Sequence, residues 1–150
     1  MSRYFRFIVL SLSLLSAGCQ KSATYTIYNN TPLDLVVELQ NGEMEWEAGT
    51  PLQIDGAMQQ RLLWLEEAGR RFPVLTIRHD GKTARYSFTS PDYPIPAEYR
   101  SKGEYRFQLQ QDWNLYLMLP GDPYPAPGKH LRFQPQGFPK AQDKISGKAS

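Results

Sequence analysis

The sequence predicts an all-β fold, a small antiparallel β-sandwich or partial barrel of about seven or eight strands. Three observations predict it. Short runs with an apolar residue at every second position recur along the chain, which is the period of a half-buried strand. Clusters of Asn, Asp, Gly and Pro separate these runs and read as turns. The pair Asp80-Gly81 tolerates the positive φ angles of a type I′ hairpin turn.

The elements follow in order. Ala23 to Tyr28 alternates, with Tyr25 and Ile27 on one side. Asn29-Asn30-Thr31-Pro32 is a turn, and Leu33, Leu35, Val37 and Leu39 share one face beyond it, so the two strands are expected to pair as a hairpin. After the turn at Gln40 to Glu43, Met44 to Glu47 alternates Met and Trp with Glu. Gly49, Pro51 and Gly56 mark a loop with a short strand at Leu52 to Ile54. The stretch 57–68 carries two signals. Helix formers dominate it, with Asp55 as a cap and Gly69 as a stop. Leu63 and Leu65 alternate with Leu62, Trp64 and Glu66, and strand is favoured over a short helix.

Val74 to Arg78 and Thr83 to Phe88 flank Asp80-Gly81 as a hairpin. Three prolines make Ser90 to Pro96 an extended loop. Tyr105, Phe107 and Leu109 share a face of the strand Glu104 to Gln110, and Leu115 to Leu119 is the closing strand. Beyond it, Pro120, Pro123, Pro125, Pro127, Pro135 and Pro139 work against regular pairing. Phe133 and Phe138 are expected to pack back on the sheet.

The leader has its own logic. Arg3 and Arg6 precede the apolar run Phe7 to Leu15, and small residues lead up to Cys19. This is the layout of a secretory signal. The run is half the roughly 20 residues that a spanning helix needs. Leu15-Ser16-Ala17-Gly18-Cys19 resembles the lipobox of bacterial lipoproteins, with Ser16 where that motif usually has Leu. The resemblance implies cleavage between Gly18 and Cys19, and a covalent diacylglycerol and N-acyl lipid on Cys19. No other cofactor is expected. The organisation expected is a signal peptide at 1–18, a lipidated tether at 19–22, a β-domain at 23–139 whose Pro-rich extension is 120–139, and a disordered tail at 140–150. By the same resemblance, Gln20 after the cysteine favours the outer membrane, whereas Lys21-Ser22 is similar to an inner-membrane retention signal of pseudomonads. The domain faces the periplasm in either case.

Charge narrows the partners. Without Arg3 and Arg6, the only charges before Cys19, 15 basic and 15 acidic residues remain. A neutral domain has no general attraction for nucleic acid, which needs Lys and Arg at phosphate spacing. Acids gather between Ser22 and Gln60, and bases gather from Lys129 onward. A lone cysteine permits no internal disulfide, so stability rests on the core.

Chemistry is sparse. His79 and His130 are the only histidines, which with one cysteine leaves no metal set of that kind. His79 and Asp80 are adjacent, so on a strand they point to opposite faces. There is no Gly-x-Ser-x-Gly elbow. Glu43, Glu45 and Glu47 form a like-charge row, read as a solvated edge that resists aggregation. Trp46, Trp64, Tyr86, Phe88 and Phe107 fall on core faces. Tyr93, Tyr99, Trp113, Tyr116 and Tyr124 sit near loops or prolines, where exposed rings would stack on sugars or a Pro-rich peptide, and Tyr93, Tyr99, Trp113 and Tyr124 are the set expected to line one groove.

Pro96-Ala-Glu-Tyr99, Tyr105 to Gln110, Leu119-Pro-Gly121 and Gln136-Gly-Phe-Pro139 together resemble segments of uncharacterised proteobacterial envelope proteins. That resemblance implies no activity and carries over no functional residue. The sequence therefore predicts a lipid-anchored envelope protein that binds or scaffolds without catalysis, with an envelope protein or polysaccharide as partner. The alternatives are an inhibitor or immunity-type lipoprotein that blocks an enzyme, and a hydrolase using carboxylates.

Overall fold

The structure is a computed structural model that describes residues 23–87 and 95–142. The leader with Gly18 and Cys19, the residues Phe88 and Tyr93, and the tail 143–150 lie outside the described residues.

Among the described residues, ten strands form two sheets. The first holds β1 (Thr24–Asn29), β4 (Pro51–Ile54), β8 (Arg100–Ser101), β9 (Glu104–Leu109) and β10 (Leu115–Met118). The second holds β2 (Leu35–Leu39), β3 (Gly42–Trp46), β5 (Leu63–Glu67), β6 (Arg70–His79) and β7 (Lys82–Ser87). Alternate residues of both sheets meet in one core, including Ile27, Ile54, Phe107 and Leu117 from the first and Leu35, Val37, Leu75, Ile77 and Tyr86 from the second. The fold is thus an all-β sandwich, with more and shorter strands than the seven or eight expected.

Two expectations about pairing fail. β1 and β2 do not form a hairpin, because they lie in different sheets. β1 instead lies between β4, antiparallel, and β9, parallel, so the sandwich is not wholly antiparallel. Alternation set the inward faces of β1, β2 and β9, but Trp64, expected on a core face, is only half-buried with Arg71 5.5 Å over its ring, and alternation carries no information about the partner strand.

The cause lies in Asn29, which is fully buried where the chain leaves the first sheet. Its carboxamide donates to Leu33 O at 2.8 Å and approaches Trp46 O and Glu47 O at 3.4 and 3.3 Å. Its Oδ1 accepts from Thr31 N at 3.1 Å and Thr31 Oγ1 at 2.7 Å. Its backbone N–H donates to Thr50 O at 3.0 Å, and its carbonyl accepts from Gly49 N at 2.8 Å. One side chain and one peptide unit therefore hold both the β1–β2 and the β3–β4 crossings between sheets.

The ambiguous stretch 57–68 is both things in succession. Helix α1 (Gly56–Arg61) comes first, with Asp55 accepting from Met58 N at 2.8 Å as its cap, and β5 follows. α1 carries the chain from β4 to β5 across the end of the sandwich and buries Met58 there. Gly69 does not stop the helix. With φ of 50° at Ala68 and 72° at Gly69, the pair turns the β5–β6 hairpin. Asp80-Gly81 turns β6 into β7 with φ of 42° and 75°, the left-handed pair that a type I′ turn requires. At that tip His79 Nε2 lies 3.1 Å from Asp80 Oδ2, so the two side chains meet rather than diverge. The reason is that Asp80 has left the strand for the turn.

β3 pairs only with β2 and is an edge strand, with Glu43, Glu45 and Glu47 exposed. Glu38 and Glu43 stand directly opposite one another, and Arg78 offsets their repulsion by pairing with both.

Replacing Asn29 with Leu keeps the volume but strands several buried polar groups, each costing about 1–3 kcal/mol. Urea unfolding of Asn29→Leu is expected to show a loss of at least about 3 kcal/mol, against less than about 1 kcal/mol for Asn30→Ala. Equal losses for the two variants would contradict the role assigned to Asn29.

Candidate functional site

The register of the first sheet decides what lies outside the core. Thr26, Arg106 and Met118 stand level, as do Tyr28, Gln108 and Tyr116. These residues alternate with Ile27, Phe107 and Leu117, so they face away from the sandwich interior. The Pro-rich extension covers them. The Arg106 guanidinium donates to Asp122 O at 2.9 Å and Pro120 O at 3.3 Å, and lies 5.2 Å over the Tyr28 ring. Tyr124 stacks on Tyr28 at 4.4 Å, and its hydroxyl donates to Asn29 O at 2.9 Å. Ala126 N donates 2.8 Å to Gln108 Oε1 in a fully buried position.

The extension also closes a sheet edge. β10 pairs with β9 on one side only. On the other side the Gln134 carboxamide accepts from Leu117 N at 2.8 Å and donates to Leu117 O at 3.0 Å. Lys140 exchanges both backbone bonds with Leu115, at 2.9 and 2.8 Å. Gln134 thus supplies the donor and acceptor that a neighbouring peptide would. Lys140, read from the sequence as tail, is part of the sheet edge. Phe138 packs back 6.3 Å from Phe107 as expected, but Phe133 does not: it is 81% exposed.

Two cavities result, with the short helix α2 (Gly128–Leu131) contributing to both. The larger, about 810 Å³, is an open groove between the β9–β10 turn, Asn30 and the extension. Its walls carry the amides of Asn30, Gln110 and Gln111, the Asp112 carboxylate, the Arg132 guanidinium and the Tyr116 and Phe138 rings. Asn30 Nδ2 donates to Gln110 Oε1 at 3.0 Å. Asp112 accepts from Asn114 N at 2.9 Å and from the Tyr116 hydroxyl at 2.7 Å, which fixes the acid and the ring together.

The smaller cavity, about 290 Å³, lies against Tyr99, Leu117, Leu119 and Phe133, with Lys129 and His130 beside them. His130 has a structural role: its Nδ1 lies 2.6 Å from Oδ1 of the buried Asp122, whose Oδ2 accepts from Leu119 N at 3.1 Å. A carboxylate accepts only, so this contact places the imidazole proton on Nδ1. Each cavity is lined by one carboxylate, Asp112 in one and Asp122 in the other. Paired-carboxylate hydrolysis needs two in one cleft. Among the described residues no group of three or more His, Cys, Asp or Glu is placed to hold a metal.

Among the described residues, Tyr99, Trp113 and Tyr124 do not share a groove. Trp113 is buried, with φ of 63°, Lys82 over its ring at 4.3 Å and its carbonyl accepting from the Tyr86 hydroxyl. Tyr124 has one ring face against Tyr28. Tyr99 lines the smaller cavity. Of the two rings that line the groove, Tyr116 is among the aromatics that the sequence places near loops or prolines, whereas Phe138 reads there only as packing back on the sheet. No sequence period marks a groove made by a proline-rich return.

No family model, curated protein or solved structure matches this chain.

Several phenols are held in their neutral form. The hydrogen bond to Asp112, helped by burial, raises the Tyr116 pKa. Burial, with Tyr28 beside it, raises that of Tyr124, and burial with Glu98 and Asp122 nearby raises that of Tyr99. Their stabilising effect is complete below the unfolded value of about 10 and is lost as pH rises through the higher folded values. Stability is expected to fall as pH is raised above about 10, and Tyr116→Phe should make that fall shallower. Absorbance titration showing every tyrosine ionising at or below its ordinary value would contradict this.

Proposed function

We propose that this protein is a lipid-anchored cell-envelope protein whose sandwich binds an envelope polysaccharide without transforming it. The observation that carries the binding role is the groove of about 810 Å³ lined by amides and aromatic rings. Sugars offer vicinal hydroxyls that both donate and accept, together with apolar C–H faces. Amides match the first because each carries a donor and an acceptor in one plane. Rings match the second.

The Asn30–Gln110 pair fits this use. Their mutual bond consumes Asn30 Nδ2 and Gln110 Oε1. The remaining Asn30 Oδ1 acceptor and Gln110 Nε2 donor suit neighbouring hydroxyls of one sugar ring. Tyr116 and Phe138 supply the ring faces, and Arg132 and Asp112 supply polar ends. The groove is stiff because its far wall is stitched to Leu115 and Leu117. A preformed site loses less entropy on binding.

The anchor rests on the sequence. Cys19 is the only cysteine and falls at the small-residue boundary of the leader. Each buried CH₂ contributes about 0.8 kcal/mol, so several acyl chains hold where one does not. Periplasmic exposure of the domain then follows from export, and the Gln20 position supports the outer membrane.

Two measurements test the proposal. Palmitate labelling of cells is expected to mark the wild type and not Cys19→Ser; equal labelling of both would remove the anchor. Co-sedimentation with isolated sacculi and with lipopolysaccharide is expected to retain the protein on one of them. Gln110→Ala with Arg132→Ala should weaken that retention by about tenfold, the loss of one or two polar contacts at about 1 kcal/mol each. Unchanged retention in the double variant, with unchanged melting, would overturn the groove as the site.

A further inference from the structure

We propose that the rim of the smaller cavity, built on Leu119 and Phe133, docks into an anionic lipid surface and fixes how the sandwich sits on the membrane. The proposal rests on the anchor reading above for the membrane and for the position argument, while the exposure and charge that support it are independent of that reading.

The first observation is exposure. Leu119 and Phe133 are the exposed large hydrophobic residues among the described residues, at 38% and 81%, and both line the same cavity. Scattered exposed apolar residues need no explanation, but two converging on one apolar cavity mark an interaction surface.

The second observation is position. Thr24, the first residue of β1, pairs with Glu104, the first residue of β9. β10 runs antiparallel to β9 with Met118 opposite Arg106, so the chain leaves the sheet at Leu119 close to that same end. β8 takes over the edge there, with Arg100 opposite Tyr105. β10 and β1 flank β9, so Leu119 lies about 10 Å from the start of β1 by strand spacing. From Cys19 to Thr24 the chain spans at most about 17 Å when fully extended. A lipid on Cys19 therefore keeps this end of the first sheet near the bilayer, and the Leu119–Phe133 rim with it.

The third observation is charge. Lys129 lines the cavity. Arg100 and Lys102 are exposed at the adjoining β8–β9 turn. Against these three cations the exposed acid is Glu98, while Asp122 is buried against His130 and Glu104 is half-buried. An aromatic and an aliphatic side chain ringed by Lys and Arg is the chemistry of a lipid interface, where rings enter the headgroup layer and cations meet anionic lipid. The groove lies on the other side of α2, lined by Gly128, Leu131 and Arg132, and stays open to the periplasm in this pose.

The test uses the mature protein in vesicles of zwitterionic lipid doped with phosphatidylglycerol. Phe133→Cys and, as control on the far edge strand, Glu45→Cys each receive a thiol-reactive spin label, since lipid blocks the Cys19 thiol. Collision with a water-soluble relaxation agent is expected to be about tenfold weaker for the label at 133 than at 45, the order of effect that burial of one large apolar side chain gives. Adding Lys129→Glu and Lys102→Glu should return much of that accessibility. Equal accessibility at 133 and 45 would overturn the proposal. Mass spectrometry reads the state of Cys19 separately. Were that thiol free, the anchor reading would fall, Cys19→Ser would replace it in both labelled variants, and the docking proposal would still require protection at 133 in excess vesicles.

Discussion

The fully buried amide of Asn29 is the constraint on which the architecture depends. A two-sheet sandwich needs its chain to cross between layers, and each crossing exposes peptide groups that no ladder satisfies. Here two crossings meet at one residue, which answers Leu33, Gly49, Thr50 and Thr31 at once. Its carbonyl also receives the Tyr124 hydroxyl from the extension, 95 positions along the chain. The first strand, the turn between β3 and β4, and the C-terminal return are therefore fastened at a single point. The parallel pairing of β1 with β9 becomes possible because β1 is released from its sequence neighbour β2.

The extension answers a second constraint, the open edge of β10. An unpaired edge strand offers its peptide groups to any passing strand. Prolines cannot form a continuous neighbouring strand, since each lacks a donor. The chain instead uses a side chain, Gln134, at Leu117 and a short backbone bridge, Lys140, at Leu115. Residues of α2 line both cavities, and Phe138 and Pro139, between those two points, line the larger one. The cavities are thus a consequence of how the edge is covered. The groove opens beside the β9–β10 turn, whereas the Leu119–Phe133 rim sits at the end of the first sheet where β1 begins.

Much of this was legible in the sequence, and the limits are physical. Period-two alternation correctly identified the inward faces of β1, β2 and β9, because burial of one face is a local property. Asp80-Gly81 gave its turn because φ preferences are local as well. Pairing partners were not legible: Asn29-Asn30-Thr31-Pro32 looks the same whether the chain returns beside itself or crosses to another sheet. The stretch 57–68 carried honest signals for both helix and strand, and the protein uses each in half of it. Trp113 sits among turn residues yet is buried, because its ring depends on Lys82 from a distant hairpin. Gln134 left no trace at all, since a glutamine that completes a ladder reads as one more polar residue in a loop.

The central claim is that the extension and the sandwich form one cooperative unit joined through Asn29 and the β10 edge. Native-state hydrogen exchange tests it most directly. The amides of Gly49, Leu117 and Ala126, which donate to Asn29, Gln134 and Gln108, should exchange with the same opening free energy as Ile27 and Phe107 in the core. Exchange of Leu117 and Ala126 through a smaller opening that leaves Ile27 protected would contradict the account.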